Sequence, residues 1–316
     1  MAVLLSACAL VLAACAETVE EPTAHEQNHF GYALNSPLAT TNAASLLGVA
    51  TDAGLLSSRL YPAVYVQGPS GQMIPNTDLA TTQVLPGANR QVIYTINPEA
   101  TYSDGQPVVC DDFLLAAKAG MMPSVFDSHV PLATQIERVD CQSGSKSATV
   151  VFKEDYGNRW RHLFDQGTLL PAHAIATKAG ITLGELHRAL QEEDVEALEE
   201  PARIWAEGFR LDNFDPALQV SSGPYVITEV GEFGEATLGR NEHYSGDAAT
   251  LDQIVVWPKG ADLDTIARAG NLQIADIGSG DTATWVNRDD PMNPYDIYKE
   301  IGVLTEQLTL GSSGVF

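Results

Sequence analysis

The sequence predicts a mixed α/β protein with more than one lobe, and three observations support this fold class. The chain has 316 residues, which is more than one hydrophobic core usually supports. Apolar residues make up 45% of the chain and charged residues 18%, a balance typical of a globular protein. Near the end, a strand-like run at 252–258 is followed by a helical run at 262–269 and another strand-like run at 273–277. This order predicts an α/β lobe with parallel pairing.

Alternation of apolar and polar residues predicts further strands. They lie at 29–34, 61–67, 90–97, 135–141 and 148–153, and a hairpin follows at 226–230 and 236–240. Gly, Pro, Ser and Asp, the usual turn residues, separate several of these runs. The turn residues predict where each strand ends.

Local signals predict three helical regions. Asp111 and Asp112 mark a helix start, because acidic side chains suit the positive end of a helix dipole. A capping box begins at Thr182 and opens a long acidic helix, which Pro201 is expected to split in two. Residues 42–54 are rich in Ala and Leu and predict one more helix.

The charge of the chain excludes some partners. The formal net charge is −24, from 41 acidic and 17 basic side chains. Such a surface repels phosphate backbones, so we expect no nucleic-acid partner. Anionic lipid headgroups are repelled as well, so attachment to a membrane requires a covalent anchor or a protein partner.

The first residues predict export and lipid modification. Residues 2–14 form an uncharged apolar run that is shorter than the about 20 residues needed to span a bilayer. The run ends at Leu12-Ala13-Ala14-Cys15, which resembles the lipobox of bacterial lipoproteins. The resemblance implies a signal peptide at 1–14, an acyl anchor on Cys15 and a location at the extracytoplasmic face of the cell membrane. Residues 15–28 would form a flexible tether, and a buried first helix is the alternative interpretation.

A second cysteine in this region also fits the lipobox. Leu5-Ser6-Ala7-Cys8 has the required residue types, but it leaves too short an apolar run in front of it. Once 1–14 is removed and Cys15 is lipidated, Cys110 and Cys141 remain as an even pair in an oxidising compartment. We predict a disulfide between them, and two free buried thiols are the alternative.

Three segments, in order, resemble the peptide- and nickel-binding family of ABC-importer solute-binding proteins, here as an actinobacterial lipoprotein. The first is a strand, the turn 102–107 (YSDGQP) and a helix start at Asp112-Phe113. The second is 222–225 (SGPY), followed by a hairpin and by 240–244 (RNEHY). The third is the strand, helix and strand of 251–277.

The resemblance implies a periplasmic-binding-protein type II-like α/β lobe with an inserted β-rich subdomain. The first lobe would comprise 29–47 and 171–277, and the insert would comprise 48–170. Residues 278–316 would form a crossover and the start of a second lobe. Members of the family are usually longer, so the resemblance implies a C-terminally truncated chain in which most of the second lobe is missing.

The implied function is the capture of peptides or other small solutes for an ABC permease. This role is not enzymatic and needs no cofactor or resident metal. Ligands of this fold contact the loop after the first strand and the crossover strands, which nominates a set of ligand-binding residues. They are Asn35, Ser36, Thr40, Ser279 and Trp285.

Two other functions stay open. A member of the same fold could regulate the synthesis of cell-envelope glycolipids, as some actinobacterial lipoproteins do. Residues 25–29 (HEQNH) match the zinc-protease pattern HExxH, which suggests an envelope metallohydrolase. That chemistry requires both histidines on one face of a packed helix, whereas here they lie in the predicted tether. The sequence therefore favours a binding protein.

Overall fold

A computed structural model gives the fold of the greater part of the chain. The residues that it describes are 29–278, 283–287, 289, 291–292 and 295–298. The predicted signal peptide, the tether, Cys15 and Ser279 lie outside this set. Among the described residues, the helices are too short or too polar to cross a membrane.

Eleven strands, eight α-helices and two short 3-10 helices (Pro131–Gln135 and Trp160–His162) make up the regular structure of this part of the chain. The strands are β1 (His29–Ala33), β2 (Tyr65–Gln67), β3 (Met73–Pro75), β4 (Ala80–Leu85), β5 (Gln91–Ile96), β6 (Ile136–Cys141), β7 (Ser147–Phe152), β8 (Tyr225–Val230), β9 (Ala236–Arg240), β10 (Gln253–Trp257) and β11 (Ile274–Ala275). The helices are α1 (Leu46–Ala50), α2 (Gly54–Ser57), α3 (Cys110–Met121), α4 (Pro123–Phe126), α5 (Ala172–Lys178), α6 (Leu183–Glu192), α7 (Val195–Glu207) and α8 (Leu263–Arg268).

The first sheet has five strands in the order β11-β1-β10-β9-β8. Strand β1 is parallel to both β10 and β11, whereas β9 is antiparallel to β10 and β8. The chain leaves β10, passes through α8 and returns as β11 on the other side of β1. This is the α/β architecture with parallel pairing that the sequence predicted, with β1 inserted between the two predicted strands.

A glycine in β1 leaves room for the chain that returns from α8 to β11. A Cβ on Gly31 would lie 1.8 Å from the carbonyl oxygen of Asn271, which belongs to the connection from α8 to β11. The backbone of Gln273 also donates to the Gly31 carbonyl, at 2.9 Å. Only a residue without a side chain allows the returning chain to lie this close to β1.

The second sheet is antiparallel, with the order β4-β5-β7-β6, and α3 packs against it. Alternate residues of β5 (Val92, Tyr94, Ile96) are buried, as the predicted alternation requires. The ring of Tyr94 packs 5.6 Å from Phe113 of α3 and 5.0 Å from Phe164, measured between centroids. Strands β2 and β3 form a separate two-stranded hairpin.

Helix α3 is buried almost along its whole length and organises the helices around it. Helices α5 and α6 pack on α3, and α7 packs on α5 and α6. The carboxylate of Asp112 accepts hydrogen bonds from the backbone nitrogens of Val109 (2.9 Å) and Ala172 (2.8 Å), which ties the start of α5 to the start of α3. Burial raises the pKa of Asp112 to about 7, opposed by these two hydrogen bonds. The domain boundary proposed at residue 171 stays a prediction.

The predicted split of the acidic helix at Pro201 is wrong. The break lies at Glu193, which has a φ of 54°, and Pro201 is buried inside α7. Asp194 caps α7 by accepting from the Ala197 nitrogen at 3.1 Å, and Glu193 forms an ion pair of 2.6 Å with the buried Lys118. A cap and an ion pair thus decide the break. The capping box at Thr182 is confirmed as the start of α6.

The single helix expected at 42–54 is divided into α1 and α2. The side chain of Asn42 accepts from the backbone nitrogens of Ala44 and Ser45, and the Ser45 hydroxyl accepts from the Gly48 nitrogen. These bonds replace helical backbone bonds and delay the helix start to Leu46.

A disulfide joins Cys110, the first residue of α3, to Cys141, the last residue of β6, with a Cα–Cα distance of 5.8 Å. It is the pairing that the sequence predicted. The two residues are 31 positions apart, so the bond closes a loop that runs from α3 to the end of β6.

We expect the disulfide to stabilise the fold by about 3–4 kcal/mol, because closing such a loop lowers the entropy of the unfolded chain. Wild type in reductant and the variant Cys110→Ser/Cys141→Ser should both unfold at a lower urea concentration than the oxidised wild type. The double variant should not respond to reductant. Alkylation of both cysteines in the native protein without reductant would contradict the pairing.

Candidate functional site

The carboxyl ends of the three parallel strands meet at one edge of the first sheet. We call residues 34–36, 257–259 and 276–278 the carboxyl edge. Backbone bonds hold them together: Leu34 donates to the Trp257 carbonyl at 2.9 Å, Lys259 donates to the Ser36 carbonyl at 3.0 Å, and Asp276 donates to the Ala33 carbonyl at 2.9 Å. In open α/β sheets, ligands bind outside the carboxyl ends of the strands. The carboxyl edge is therefore the candidate site.

Two buried polar atoms at the carboxyl edge have no hydrogen-bond partner within the described part of the chain. They are the hydroxyl of Ser36, a residue that is 6% exposed, and the indole nitrogen of Trp257. Leaving such a group unpaired costs about 1–3 kcal/mol. A bound solute that paired with them would recover this free energy. The hydroxyl can donate and accept, and the indole can donate.

Other unpaired buried polar atoms lie elsewhere. They belong to Tyr61, Tyr94, Tyr102 and Trp205. All four residues are part of the hydrophobic core cluster, whereas neither Ser36 nor Trp257 belongs to it. The position at the strand ends thus separates the two candidate atoms from the other four.

Charged groups of both signs accompany these atoms. Lys259 and Asp276 are exposed at the carboxyl edge, and the guanidinium of Arg59 lies 5.3 Å from the ring centroid of Tyr32, in β1. Burial raises the pKa of Tyr32, Arg59 lowers it and Asp276 raises it further. Within the described residues, neither Lys259 nor Arg59 forms an ion pair with a carboxylate. Arg59 Nη1 donates to the Leu55 carbonyl at 3.0 Å, and the positive charges of Arg59 and Lys259 can both attract an anionic group.

The structure places only some of the five nominated ligand residues at the carboxyl edge. Ser36 lies in the carboxyl edge with Asn35, which is half-buried, beside it. The Thr40 hydroxyl is occupied, since it donates to the Phe209 carbonyl at 3.0 Å and accepts from the Asn42 nitrogen at 3.1 Å. We therefore leave Thr40 out of the candidate site.

Trp285 is the one other nominated residue that the structure describes. Trp285 is half-buried and makes no hydrogen bond or ring contact among the described residues. Ser279 lies outside the described residues. Sequence reasoning missed Trp257, Lys259 and Asp276, although they follow or end strands that it had predicted correctly. Applying the carboxyl-end rule to those strands would have found them.

The first two of the three sequence segments that carried the family resemblance meet at one place. The Ser103 nitrogen donates to the Ser221 carbonyl at 2.8 Å, and the Ser221 nitrogen donates to the Ser103 hydroxyl at 3.0 Å. Asn241 Nδ2 donates to the carbonyls of Ser221 (3.1 Å) and Gly223 (2.8 Å). We call these contacts the motif junction. It connects the turn after β5 to the start of β8, and so connects the two large sheets.

A cavity of about 580 Å³ lies elsewhere, beside α1 and α2. Its walls come from 43–55, 129–132 and 162–168, and most of the lining side chains are apolar. Four ionisable groups also line it: Asp52, His129, His162 and Asp165. Of the nominated ligand residues that the structure describes, none lines this cavity.

Of the residues that match HExxH, the structure describes His29 and no other. His29 begins β1 and therefore lies in a strand, whereas a zinc-protease pattern requires a helix. Residues 25–28 lie outside the described residues.

An open α/β sheet with unpaired buried polar atoms at its strand ends is an arrangement that suits the binding of a small solute. Residues 75–307, more than half of the chain, match the family of bacterial extracellular solute-binding proteins, family 5 middle. The chain therefore belongs to this family.

Relatives and solved structures agree with this membership. An uncharacterized lipoprotein of Mycobacterium tuberculosis is 31% identical over 267 residues, which cover 82% of this chain and 47% of the relative. A probable monoacyl phosphatidylinositol tetramannoside-binding protein of the same species is 28% identical and matches 76% of this chain and 33% of its own. An oligopeptide-binding protein of Mycobacterium bovis is 29% identical over a match that covers 67% of this chain and 31% of that protein. The chain spans about half the length, or less, of these relatives.

Solved structures show the same fold. A periplasmic EDTA-binding protein superposes with a TM-score of 0.62 at 21% identity, covering 78% of this chain and 42% of that chain. An oligopeptide-binding protein from Thermus thermophilus, in complex with a pentapeptide, superposes with a TM-score of 0.55 at 16% identity, covering 78% and 44%.

The motif junction predicts an intolerant position at Gly223. A Cβ there would lie 2.3 Å from the carbonyl oxygen of Arg59, which is backbone and cannot rotate away. We expect Gly223→Ala to lower the free energy of unfolding by about 1–3 kcal/mol. Gly184→Ala, on the surface of α6 with no atom within 4 Å of the new methyl, is the matched control and should leave stability unchanged or raise it. Equal urea midpoints for the two variants would contradict the packing described here.

Proposed function

We propose that this protein is an exported, lipid-anchored solute-binding protein that captures peptides or other small solutes for an ABC permease at the extracytoplasmic face of the cell membrane. It is not an enzyme in this proposal, and it uses no cofactor. Family membership supports the binding role. The single observation that carries the site is the pair of unpaired buried atoms, Ser36 Oγ and Trp257 Nε1, at the carboxyl edge.

The charges around the carboxyl edge favour a zwitterionic solute. Lys259 and Arg59 can attract a carboxylate, and Asp276 can attract an ammonium group. A short peptide carries both groups and also many backbone donors and acceptors that could pair with Ser36 and Trp257. The relative named as an oligopeptide-binding protein supports this substrate class.

A second candidate function is the regulation of cell-envelope glycolipid synthesis. Two observations favour it: the mostly apolar cavity beside α1 and α2, and the relative named as a glycolipid-binding protein. A glycolipid has an acyl part that would suit apolar walls, whereas a short peptide would depend on the charges of the carboxyl edge.

Thermal unfolding of the full-length gene product, without its anchor, tests the two candidates. A panel of short peptides and a panel of envelope glycolipids would be titrated separately. A ligand at a hundred times its Kd should stabilise the native state by about 2.7 kcal/mol. Saturable stabilisation by a glycolipid alone would favour the regulator, and stabilisation by neither panel would contradict both proposals.

Two variants test whether a peptide binds at the carboxyl edge. We expect Ser36→Ala and Trp257→Phe each to weaken peptide binding by roughly 2–10-fold, because each removes one hydrogen bond of about 0.5–1.5 kcal/mol. Ser70→Ala, an exposed serine in the turn between β2 and β3, is the control and should bind as wild type does. Unchanged affinity in both test variants, measured by calorimetry, would remove the carboxyl edge as the site.

The anchor has its own test. We expect Cys15→Ser to abolish labelling of the protein by an alkyne palmitate analogue and to move it from the membrane fraction to the soluble fraction. Cys8→Ser alters the other lipobox-like sequence and should keep both properties. Loss of label in Cys8→Ser, and not in Cys15→Ser, would move the anchor and the signal-peptide boundary.

A further inference from the structure

Four side chains with metal-binding atoms converge at the disulfide, far along the chain from the HExxH match. The ligand atoms of Cys110, Asp111 and Cys141 all lie within 4.8 Å of one another. Nδ1 of His187, in α6, lies 2.9 Å from Oδ1 of Asp111 and 4.0 Å from Sγ of Cys141. We call these four residues the cysteine–histidine cluster. Its sulfur, nitrogen and oxygen atoms form a donor set typical of zinc.

Rigid elements hold this cluster. Cys110 and Asp111 begin α3, Cys141 ends β6, and His187 lies in the middle of α6. The Asp111 side chain is 1% exposed, and its second oxygen, Oδ2, accepts from the Gly144 nitrogen at 2.7 Å. That hydrogen bond fixes the carboxylate so that Oδ1 faces His187, as outer hydrogen bonds do at metal sites.

A carboxylate beside an imidazole also occurs in catalytic groupings, but this arrangement does not suit a proton relay. In a relay, one ring nitrogen contacts the carboxylate and the other contacts the nucleophile. Here the same nitrogen, Nδ1, is the atom near both Asp111 and Cys141. Atoms that crowd around one point from several elements suit a shared cation.

We propose that reduction of the disulfide converts the cysteine–histidine cluster into a Zn²⁺ site. An external dithiol supplies two electrons and two protons, which break the S–S bond and give two thiols, and the dithiol itself becomes a disulfide. With a phosphine, the phosphine supplies the two electrons and becomes its oxide, and water supplies the oxygen and the two protons. Zn²⁺ then displaces both thiol protons and binds two thiolates, Nδ1 of His187 and Oδ1 of Asp111. The sulfur atoms would separate to about 3.8 Å, from two Zn–S bonds of about 2.3 Å at a tetrahedral angle.

The number of available ligands makes zinc binding depend on reduction of the disulfide. In the oxidised protein both sulfur atoms are used in the covalent bond, and only Asp111 and His187 remain as ligands. In the reduced protein, two thiolates and a carboxylate supply three negative charges to a divalent cation. The protein is therefore expected to take up zinc only after reduction, and to release it on oxidation as the disulfide forms again.

Metal binding by the whole chain tests this proposal. The protein would be reduced with a phosphine, freed of reductant without oxygen, and titrated with Zn²⁺ and with Co²⁺. We expect one Zn²⁺ per reduced chain, none in the oxidised chain, and a cobalt spectrum with thiolate-to-metal charge transfer. Zn²⁺ should also restore part of the stability lost on reduction. No uptake by the reduced wild type, or equal uptake by the oxidised protein, would overturn the proposal.

Variants then identify the ligands. Cys110→Ser/Cys141→Ser should bind no Zn²⁺, and His187→Ala should bind it at least about tenfold more weakly. His129→Ala, whose side chain lines the cavity and not the cluster, is the matched control and should bind as wild type does. Urea unfolding of each variant verifies that it is folded at the titration temperature. Wild-type affinity in His187→Ala, or zinc retained in the double cysteine variant, would overturn the ligand set.

Discussion

The hydrogen bonds of the motif junction are the constraint on which the described structure depends. The chain leaves the first sheet after β1, builds the second sheet and the helices around α3, and returns only at β8. Where it returns, the Ser103 nitrogen donates to the Ser221 carbonyl and the Ser221 nitrogen donates to the Ser103 hydroxyl. Asn241 bridges the carbonyls on either side of Ser222. The position of the five-stranded sheet relative to the rest thus rests on a few polar contacts as well as on the continuous core.

This constraint explains why two of the segments that carry the family resemblance, 102–107 and 222–225, do not supply residues of the candidate site. The turn at 102–107 and the segment at 222–225 contribute backbone geometry, namely a tight turn and a close approach at Gly223. Beside them, the Ser221 hydroxyl donates to the buried carbonyl of Leu60. Many different ligands can be bound by one such framework, because the framework leaves the strand ends free to vary. Membership in the family accordingly defines the scaffold, and the ligand has to be inferred from Ser36, Trp257 and the charges near them.

Much of the fold could be predicted from the sequence because its signals are local. The alternation in β5, the turn between β8 and β9 and the capping box at Thr182 depend on neighbours along the chain. Pro201 misled the prediction because the break at Glu193 depends on Lys118, which is distant in sequence. For the candidate site, Ser36 could be nominated from its place after a strand. Trp257 and Asp276 follow from the same rule, but their position beside Ser36 depends on β10 and β11 lying on either side of β1, an order that no local signal gives. Thr40 was nominated although its hydroxyl donates to the Phe209 carbonyl.

The crossing of β1 by the chain that returns from α8 has an evolutionary consequence. Since the carbonyl of Asn271 occupies the space of a Cβ on Gly31, any side chain there would have to push the returning chain off the sheet. Selection should therefore keep glycine at this position as long as β11 lies beside β1. In a homologue that lacks this glycine, β11 should no longer lie beside β1. The residue at this one position of an alignment would therefore distinguish sheets in which β11 pairs with β1 from sheets in which it does not.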